Sequence, residues 1–303
     1  MSDTVTNALG FDLEHWYTAT LLQDTVSDPV DRVVESTEIV TDILERHGVT
    51  ATFFVVGEIA REHPELVARL ADAGHEIGSH GQTHTPLSDQ TPEEFERALR
   101  VSRATIFEAA GVDPIGFRAP NFSLTRDTAW AVDVLETSSY RYDSSLFPMR
   151  TPLYGVAGAP CRPYLLGSDD PFVAGSVSTP ADPTHDPLVE IPLSVVGSRV
   201  RLPIAGGFYA RITPRQLFET GIARLNRAGI PGNIYFHPWE FNPAVRTERP
   251  SLPARLISFV GIDRLPGILD SLLERFDFGP VRELYEATVE TESRSTADAI
   301  RHT

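Results

Sequence analysis

At 303 residues and 33.4 kDa, with 41% hydrophobic and 22% charged residues, the chain can bury the core of one large α/β domain or of two small ones. Its 42 acidic residues outnumber 26 basic ones, giving a formal net charge of -16, so neither nucleic acid nor an anionic membrane surface is expected as a general partner. Every basic residue is arginine, and a carboxylate-rich surface without lysine suits a protein kept soluble in concentrated salt, so a halophilic source is expected.

The single cysteine, Cys161, cannot form an internal disulfide. The opening residues MSDTVTNALGFDLEHWY carry neither the basic nor the apolar region of a signal peptide, and no stretch reaches the roughly 20 apolar residues of a membrane span. A cytoplasmic protein with no membrane span is the expectation.

Along the chain, strand-like and helix-like segments alternate. Thr6 to Phe11 reads as a strand leading into Asp12-Leu13-Glu14-His15-Trp16-Tyr17. Asp31 to Arg46 is an amphipathic helix with an apolar stripe of Val33, Val34, Thr37, Val40, Ile43 and Leu44, stopped by Gly48. Ala51 to Val56 is a continuous apolar run of the kind buried in parallel sheets. A helix is predicted over Glu58 to Ala73, and a strand over His75 to Ser79, ending at GSHGQTHTP. Thr91-Pro92-Glu93-Glu94 has the residues of a helix start, and that helix runs to about Ala110.

Ile115 to Phe117 is a short strand feeding Arg118-Ala119-Pro120-Asn121-Phe122, followed by a helix over Thr125 to Thr137 and a strand over Tyr140 to Ser144. From about 145 to 186 the pattern lapses into Pro, Gly, Ser and Asp, too long for an ordinary connection. Strand character resumes at Leu188 to Ser194 and Val200 to Ile204, with Gly206-Gly207 as punctuation. A helix over Thr213 to Ala228 and a strand over Asn233 to Phe236 lead to His237-Pro238-Trp239-Glu240. Leu265 to Phe276 is a packing helix, and from about Thr288 a polar, frayed tail is expected.

This alternation predicts parallel β/α units. Asp12 with Glu14, His80, Arg118, Asp143 and His237 each fall where a strand ends, and in a β/α barrel those ends converge on one mouth. His80 and His84 are an i, i+4 pair, the spacing that puts two imidazoles on one face of a helical turn and lets them share a divalent metal. Such a pair alone is more often a surface coincidence, and two histidines are too few for a site, so the question is which carboxylate joins them.

Taken together and in this order, FDLEHW, SHGQTH, FRAPNF and IYFHPWE resemble the polysaccharide deacetylase family, the NodB-homology carbohydrate esterases. YDSSLFP, EIPLS, LPIAGGFYARI and HPWEFNP are further similar to a subgroup associated with exopolysaccharide biosynthesis loci. The resemblance covers about residues 7 to 278. It implies a distorted (β/α) barrel of about seven parallel strands within a single domain over 1–303: a core over about 7–250, an irregular insertion over about 145–186 and a C-terminal helical extension over about 251–303.

The resemblance also implies a hydrolase that removes N-acetyl groups from N-acetylhexosamine units of a polysaccharide or glycan precursor, using a divalent metal for which zinc is the default. Carried over by position, His80 and His84 are metal ligands, Asp12 the general base, His237 the general acid, and Arg118 the partner that orients Asp12. Much of the family has two adjacent aspartates in the first motif, whereas this chain reads Asp12-Leu13-Glu14-His15. Residues 12 and 14 of an extended segment point to one side, so Glu14 is preferred as third ligand, with His15 as the alternative.

The chemistry of amide hydrolysis asks for the same set. It needs a Lewis acid, an activated water and a proton for the departing amine. Backbone N–H groups near Asn121 and Phe122 are candidates for binding the oxyanion. Trp16, Phe122, Tyr209 and Trp239 could stack on sugar rings or belong to the core. Asp143 could support the site or cap a turn. Arg201 and Arg211 could meet an anionic substrate, though pairing with the acidic surface is preferred. His47, His63 and His75 read as structural, and His185 has no assigned role.

Rival readings are a related metal-dependent C–N hydrolase of a small cyclic imide or ureide, a glycan-binding relative without activity, and a glycosidase. The last needs two flanking carboxylates and no metal. The oligomeric state is not legible.

Overall fold

A computed structural model describes residues 5–23, 25–151, 154–166, 170–174, 187–198, 200–247 and 249–301, with side chains to 294. Its elements in chain order are β1 (Asn7–Leu13), α1 (Val33–His47), β2 (Thr52–Val55), α2 (Gly57–Glu62), α3 (Pro64–Asp72), β3 (Glu76–Ser79), α4 (Pro92–Ala110) and β4 (Gly116–Phe117). There follow α5 (Trp130–Glu136), β5 (Tyr142–Asp143), β6 (Tyr164–Leu165), β7 (Val189–Glu190), β8 (Val195–Val196), β9 (Leu202–Pro203), α6 (Gly207–Ile212) and α7 (Arg215–Arg227). The chain ends with β10 (Asn233–Phe236), α8 (Leu252–Phe259), α9 (Leu265–Arg275), β11 (Phe278–Gly279) and α10 (Val281–Arg301).

The main sheet runs β10-β1-β2-β3-β4-β5-β7-β6, parallel throughout except for the β6–β7 pair. This is the curled parallel sheet expected of the α/β class. The segment after β7 then meets the start of β10: Ser194 donates its N–H to the Asn233 carbonyl at 3.2 Å, and the Asn233 N–H donates to Ser194 Oγ at 2.7 Å.

Alternation along β1 sends Leu9, Phe11 and Leu13 outward and Ala8, Gly10 and Asp12 inward. The outward residues join Phe53, Val55, Ile77, Ile234 and Phe236 in the main core, packed against α1, α2, α3, α7 and α9. The inward side holds Phe54, Tyr142, Val189 and Ile191, stoppered from below by Val281 and Leu284 of α10.

Two expectations are corrected. The helix predicted over Glu58 to Ala73 is two helices, broken at His63, because Pro64 has no N–H to continue α2 and instead starts α3. The tail from Thr288 is not frayed: α10 carries it to Arg301, anchored where Val281 N–H donates to Thr52 Oγ1 (2.7 Å) and Arg282 N–H to Glu76 Oε2 (2.9 Å). The helical extension from 251 joins the core, since β11 pairs in parallel with β1 and α9 packs on α1. In the irregular 145–186 stretch, the described part supplies edge strand β6, while His185 lies outside the described residues.

Candidate active site

The site is built on the C-terminal ends of β1, β3, β4 and β10. Asp12 is the penultimate residue of β1 and is buried, with Oδ1 accepting from Arg118 Nη1 at 2.7 Å. Its Oδ2 is buried without a hydrogen-bond partner among the described residues. Arg118, just past β4, is fully buried. Its Nε donates to the Ser144 carbonyl (3.0 Å), its Nη2 to Ser144 Oγ (2.8 Å), and its guanidinium lies 4.1 Å from the Phe54 ring centroid. A glycine at position 10 leaves it this room, since a Cβ there would stand 3.0 Å from Arg118 Nη1.

Glu14 points to the same side as Asp12. Its Oε2 lies against His84 Nε2, and its Oε1 accepts from Trp239 Nε1 at 3.1 Å. Glu14, His80 and His84 each offer a ligand atom within 4.8 Å of the others. His15 turns the other way, bonding Glu62 at 3.0 Å and stacking on Tyr17. Adjacent residues of an extended segment face opposite sides, and that separates Glu14 from His15.

The two histidines do not sit on a helical turn, as their spacing suggested. Residues 80–84 form a bent loop after β3, in which Gly81 takes φ +81° and its carbonyl accepts from the Gly57 N–H at 2.9 Å. The bend brings the ring centroids to 5.3 Å. His80 Nδ1 donates to the Arg118 carbonyl at 2.8 Å, which leaves Nε2 as the free lone pair. Burial pushes its pKa down to about 4, so it is neutral, as a metal ligand must be.

Burial would raise the Glu14 pKa, but the imidazoles of His84, His237 and His80 override this and hold it at about 2. An ionised carboxylate, a neutral imidazole and a second imidazole, buried together, fit a divalent ion of the zinc type.

His237 follows β10. Its Nδ1 and its backbone N–H both face Glu240 Oε2, each at 3.0 Å, so Nε2 is turned toward Glu14 Oε1, 3.7 Å away. Burial would lower the His237 pKa, but Glu14 and the bond and charge of Glu240 raise it to about 9. Glu240 is in turn held by Arg211 Nη2 at 2.8 Å. Burial works to raise the Glu240 pKa, while Arg211 and His237 keep it below the usual carboxylate range.

Arg211 therefore meets an internal carboxylate rather than a substrate or the acidic surface, and its Nη1 donates to the carbonyls of Ser258 (3.1 Å) and Val260 (2.7 Å). Arg201 likewise caps backbone, donating to the carbonyls of Pro148 and Ala159. Gly207 makes the Glu240 placement possible, since a Cβ there would lie 2.1 Å from Glu240 Oε2.

Asp12, Glu14, His80, His84, Asn121 and His237 all line one cavity of about 530 Å³. Phe122, Tyr209 and Trp239 are in its wall, whereas Trp16 is core, donating from Nε1 to the Val30 carbonyl at 2.9 Å. Asn121 has φ +57° and accepts from Thr20 Oγ1 at 2.7 Å. The Phe122 N–H is already committed to the Ala119 carbonyl at 3.1 Å, because residues 120–122 close a 3-10 turn, so it is not available to an oxyanion.

Sequence reading missed Glu240, Arg211 as its holder, and the Ser144 grip on Arg118. The i, i+3 spacing of His237 and Glu240 was the one local signal for any of them. His47 (to Asp270, 2.9 Å), His63 (to Asp31, 2.7 Å) and His75 (accepting from the Ala51 N–H, 3.2 Å) have structural partners.

The polysaccharide deacetylase family model matches residues 23–139. Residues 23–139 belong to the polysaccharide deacetylase family. A second model, a domain of unknown function (DUF3473), matches residues 144–286. The deacetylase region thus contributes His80, His84 and Arg118, and the second region contributes Arg211, His237 and Glu240.

The chain is 32% identical over 112 residues to the peptidoglycan-N-acetylglucosamine deacetylase PgdA of Listeria monocytogenes, covering 34% of this chain and 23% of that protein. It is 39% identical over 101 residues to a chitooligosaccharide deacetylase of Bradyrhizobium sp., covering 33% and 43%. The chain thus spans less than half of the length of either relative. A Mycobacterium smegmatis crystal structure described as a candidate polysaccharide deacetylase superposes with a TM-score of 0.60 at 19% identity, covering 96% of this chain and 93% of that one, a likeness of fold.

Proposed function

We propose that this chain is a metal-dependent N-deacetylase acting on N-acetylhexosamine units of a glycan or glycan precursor. The observation that carries the reading is the convergence of Asp12, Glu14, His80, His84 and His237, from three strand ends, on one cavity. Glu14, His80 and His84 hold the ion, which when bound polarises an acetamide carbonyl and acidifies water.

Asp12 accepts the proton of the attacking water at Oδ2, the oxygen that Arg118 leaves free. His237, with Nδ1 committed to Glu240, presents Nε2 to protonate the amine as the C–N bond breaks and acetate departs. The names of the relatives, which act on chitooligosaccharides and peptidoglycan, set the first substrates to try.

The test is acetate release from N-acetylchitooligosaccharides and from peptidoglycan fragments by protein loaded with zinc, before and after chelation. Release that chelation abolishes and zinc restores is expected. No release from either class, with hydrolysis of a cyclic imide or ureide instead, would move the assignment to that chemistry. No hydrolysis at all with retained glycan binding would make this a binding protein.

A further inference from the structure

We propose that Asp143 and Glu190 share a single proton and act as a positioning pair, locking the Arg118–Ala119 backbone that sets both Asp12 and His80. The two residues are direct partners across the parallel strands β5 and β7, and both are fully buried. Asp143 Oδ1 accepts from the Ser145 hydroxyl, whose oxygen accepts the Ala119 N–H at 2.7 Å. Glu190 Oε1 accepts the Leu146 N–H at 3.0 Å. That leaves Asp143 Oδ2 and Glu190 Oε2, buried and without a donor elsewhere among the described residues.

Two ionised carboxylates in contact would repel each other and leave both oxygens unsatisfied. One proton between them removes a charge and makes the missing hydrogen bond. Burial, then the charge of Asp143, push the Glu190 pKa well above the carboxylate range, so the proton resides on Glu190. Burial also raises Asp143, opposed by its bonds to Glu190 and Ser145 and by the Arg118 charge. Besides Arg118, the Tyr164 hydroxyl on β6 faces the pair, and burial and these two acids raise its own pKa.

The link to the site is direct. Ser144, between Asp143 and Ser145, takes the Arg118 guanidinium on both its carbonyl and its hydroxyl, and Arg118 holds Asp12. Ser145 takes the Ala119 N–H, and the carbonyl of Arg118, one bond away, fixes His80 Nδ1. The pair thus stands behind a general base and a metal ligand at once, and it ties the deacetylase region to the region of unknown function. The positioning role rests on the deacetylase reading, whereas the shared proton does not.

Infrared difference spectroscopy in D₂O at neutral pH, wild type minus Glu190→Gln, is expected to show one protonated carboxylic-acid carbonyl band that the variant lacks. Absence of the band contradicts the shared proton whatever the site catalyses. Glu190→Gln retains an acceptor for Leu146 and a donor for Asp143, so its kcat and zinc affinity should stay near wild type. Glu190→Ala removes both and should lose about 10–100-fold in kcat and in zinc affinity, with KM little changed.

Wild-type kcat and zinc affinity in Glu190→Ala would overturn the positioning role. If that variant does not fold, Ser145→Ala, which severs the pair from Ala119, should show the same losses while keeping the band. Absence of acetate release by the wild type would count against the deacetylase reading alone, and the band and the zinc affinity would still decide the pair.

Discussion

In the proposed mechanism the two regions of the molecule bring opposite halves of one reaction. Residues 1–143 contribute the proposed metal ligands, the proposed base and its arginine, at the ends of β1, β3 and β4. Residues 144–303 contribute the proposed acid, its carboxylate and another arginine, from α6 and the turn after β10. Each region thus has one buried arginine–carboxylate pair, Arg118 with Asp12 at 2.7 Å and Arg211 with Glu240 at 2.8 Å. In the first the carboxylate faces the cavity itself; in the second it holds the histidine that does.

Charge separates the regions further. Residues 1–143 hold 25 acidic residues against ten arginines, whereas residues 144–303 hold 17 against 16, so nearly all of the net charge of -16 lies in the first. The deacetylase match alone, at residues 23–139, would be half a site. A family match can end where the remaining chemistry begins.

The largest effect expected from breaking this symmetry is on stability. Arg211→Met leaves buried Glu240 with His237 as its remaining partner and Arg118→Met leaves buried Asp12 unpaired, and each should cost about 3–5 kcal/mol by denaturant unfolding. Adding Glu240→Leu to Arg211→Met should recover most of that stability but not activity, since His237 then has no carboxylate. Full activity in the double variant would remove Glu240 from the acid's support.

Gly207→Ala probes the second region more gently. Its Cβ forces Glu240 aside, so a loss of about 1–3 kcal/mol and a fall in kcat are expected while zinc content, set by the first region, is unchanged. Loss of zinc in this variant would mean that the regions are not separable in this way.

Glu190→Gln has a pH signature. The native Asp143–Glu190 pair keeps a proton that both acids release in the unfolded chain above their ordinary pKa values near 4, so wild-type stability should fall as pH rises from there toward the raised folded value. The variant lacks that term, and its advantage over wild type should grow by at most about 1.4 kcal/mol per pH unit. A pH-independent difference between the two unfolding curves contradicts it.

The smallest effect concerns surface charge. Asp42→Asn with Glu45→Gln, on the exposed face of α1 in the acid-rich region, should raise low-salt stability by a few tenths of a kcal/mol and leave molar-salt stability unchanged. Wild-type stability that is the same in low and molar salt would contradict an adaptation to salt.

What was legible in the sequence follows the same division. β1, β2, β3 and β10 are buried along their length, and the apolar run of β2 together with the strand-like segments before Asp12, His80 and His237 let the strand ends and the residues on them be located. Asp12 and Glu14 could be put on one side from the strand repeat alone. The His80–His84 spacing led to the correct pairing for an incorrect reason, since a loop bent at Gly81, not a helix, brings them together.

Contacts between distant residues were not legible. Arg211 finds Glu240 29 residues later, and nothing in either neighbourhood announces it. Asp143 and Glu190 meet only because β5 and β7 are adjacent, past the irregular stretch that holds β6. The tail was read as frayed for its polarity, yet Val281 and Leu284 at its start are enough to seat α10 beneath the sheet.

The most direct test of the account is elemental analysis of the purified chain after incubation with zinc and removal of excess, on wild type and on His80→Ala with His84→Ala. Close to one equivalent of zinc in the wild type, lost in the double variant and retained in His15→Ala, is the predicted result. A well-folded wild type that holds no zinc, or a His15→Ala variant that loses it, would contradict the assignment of Glu14, His80 and His84 as the metal site.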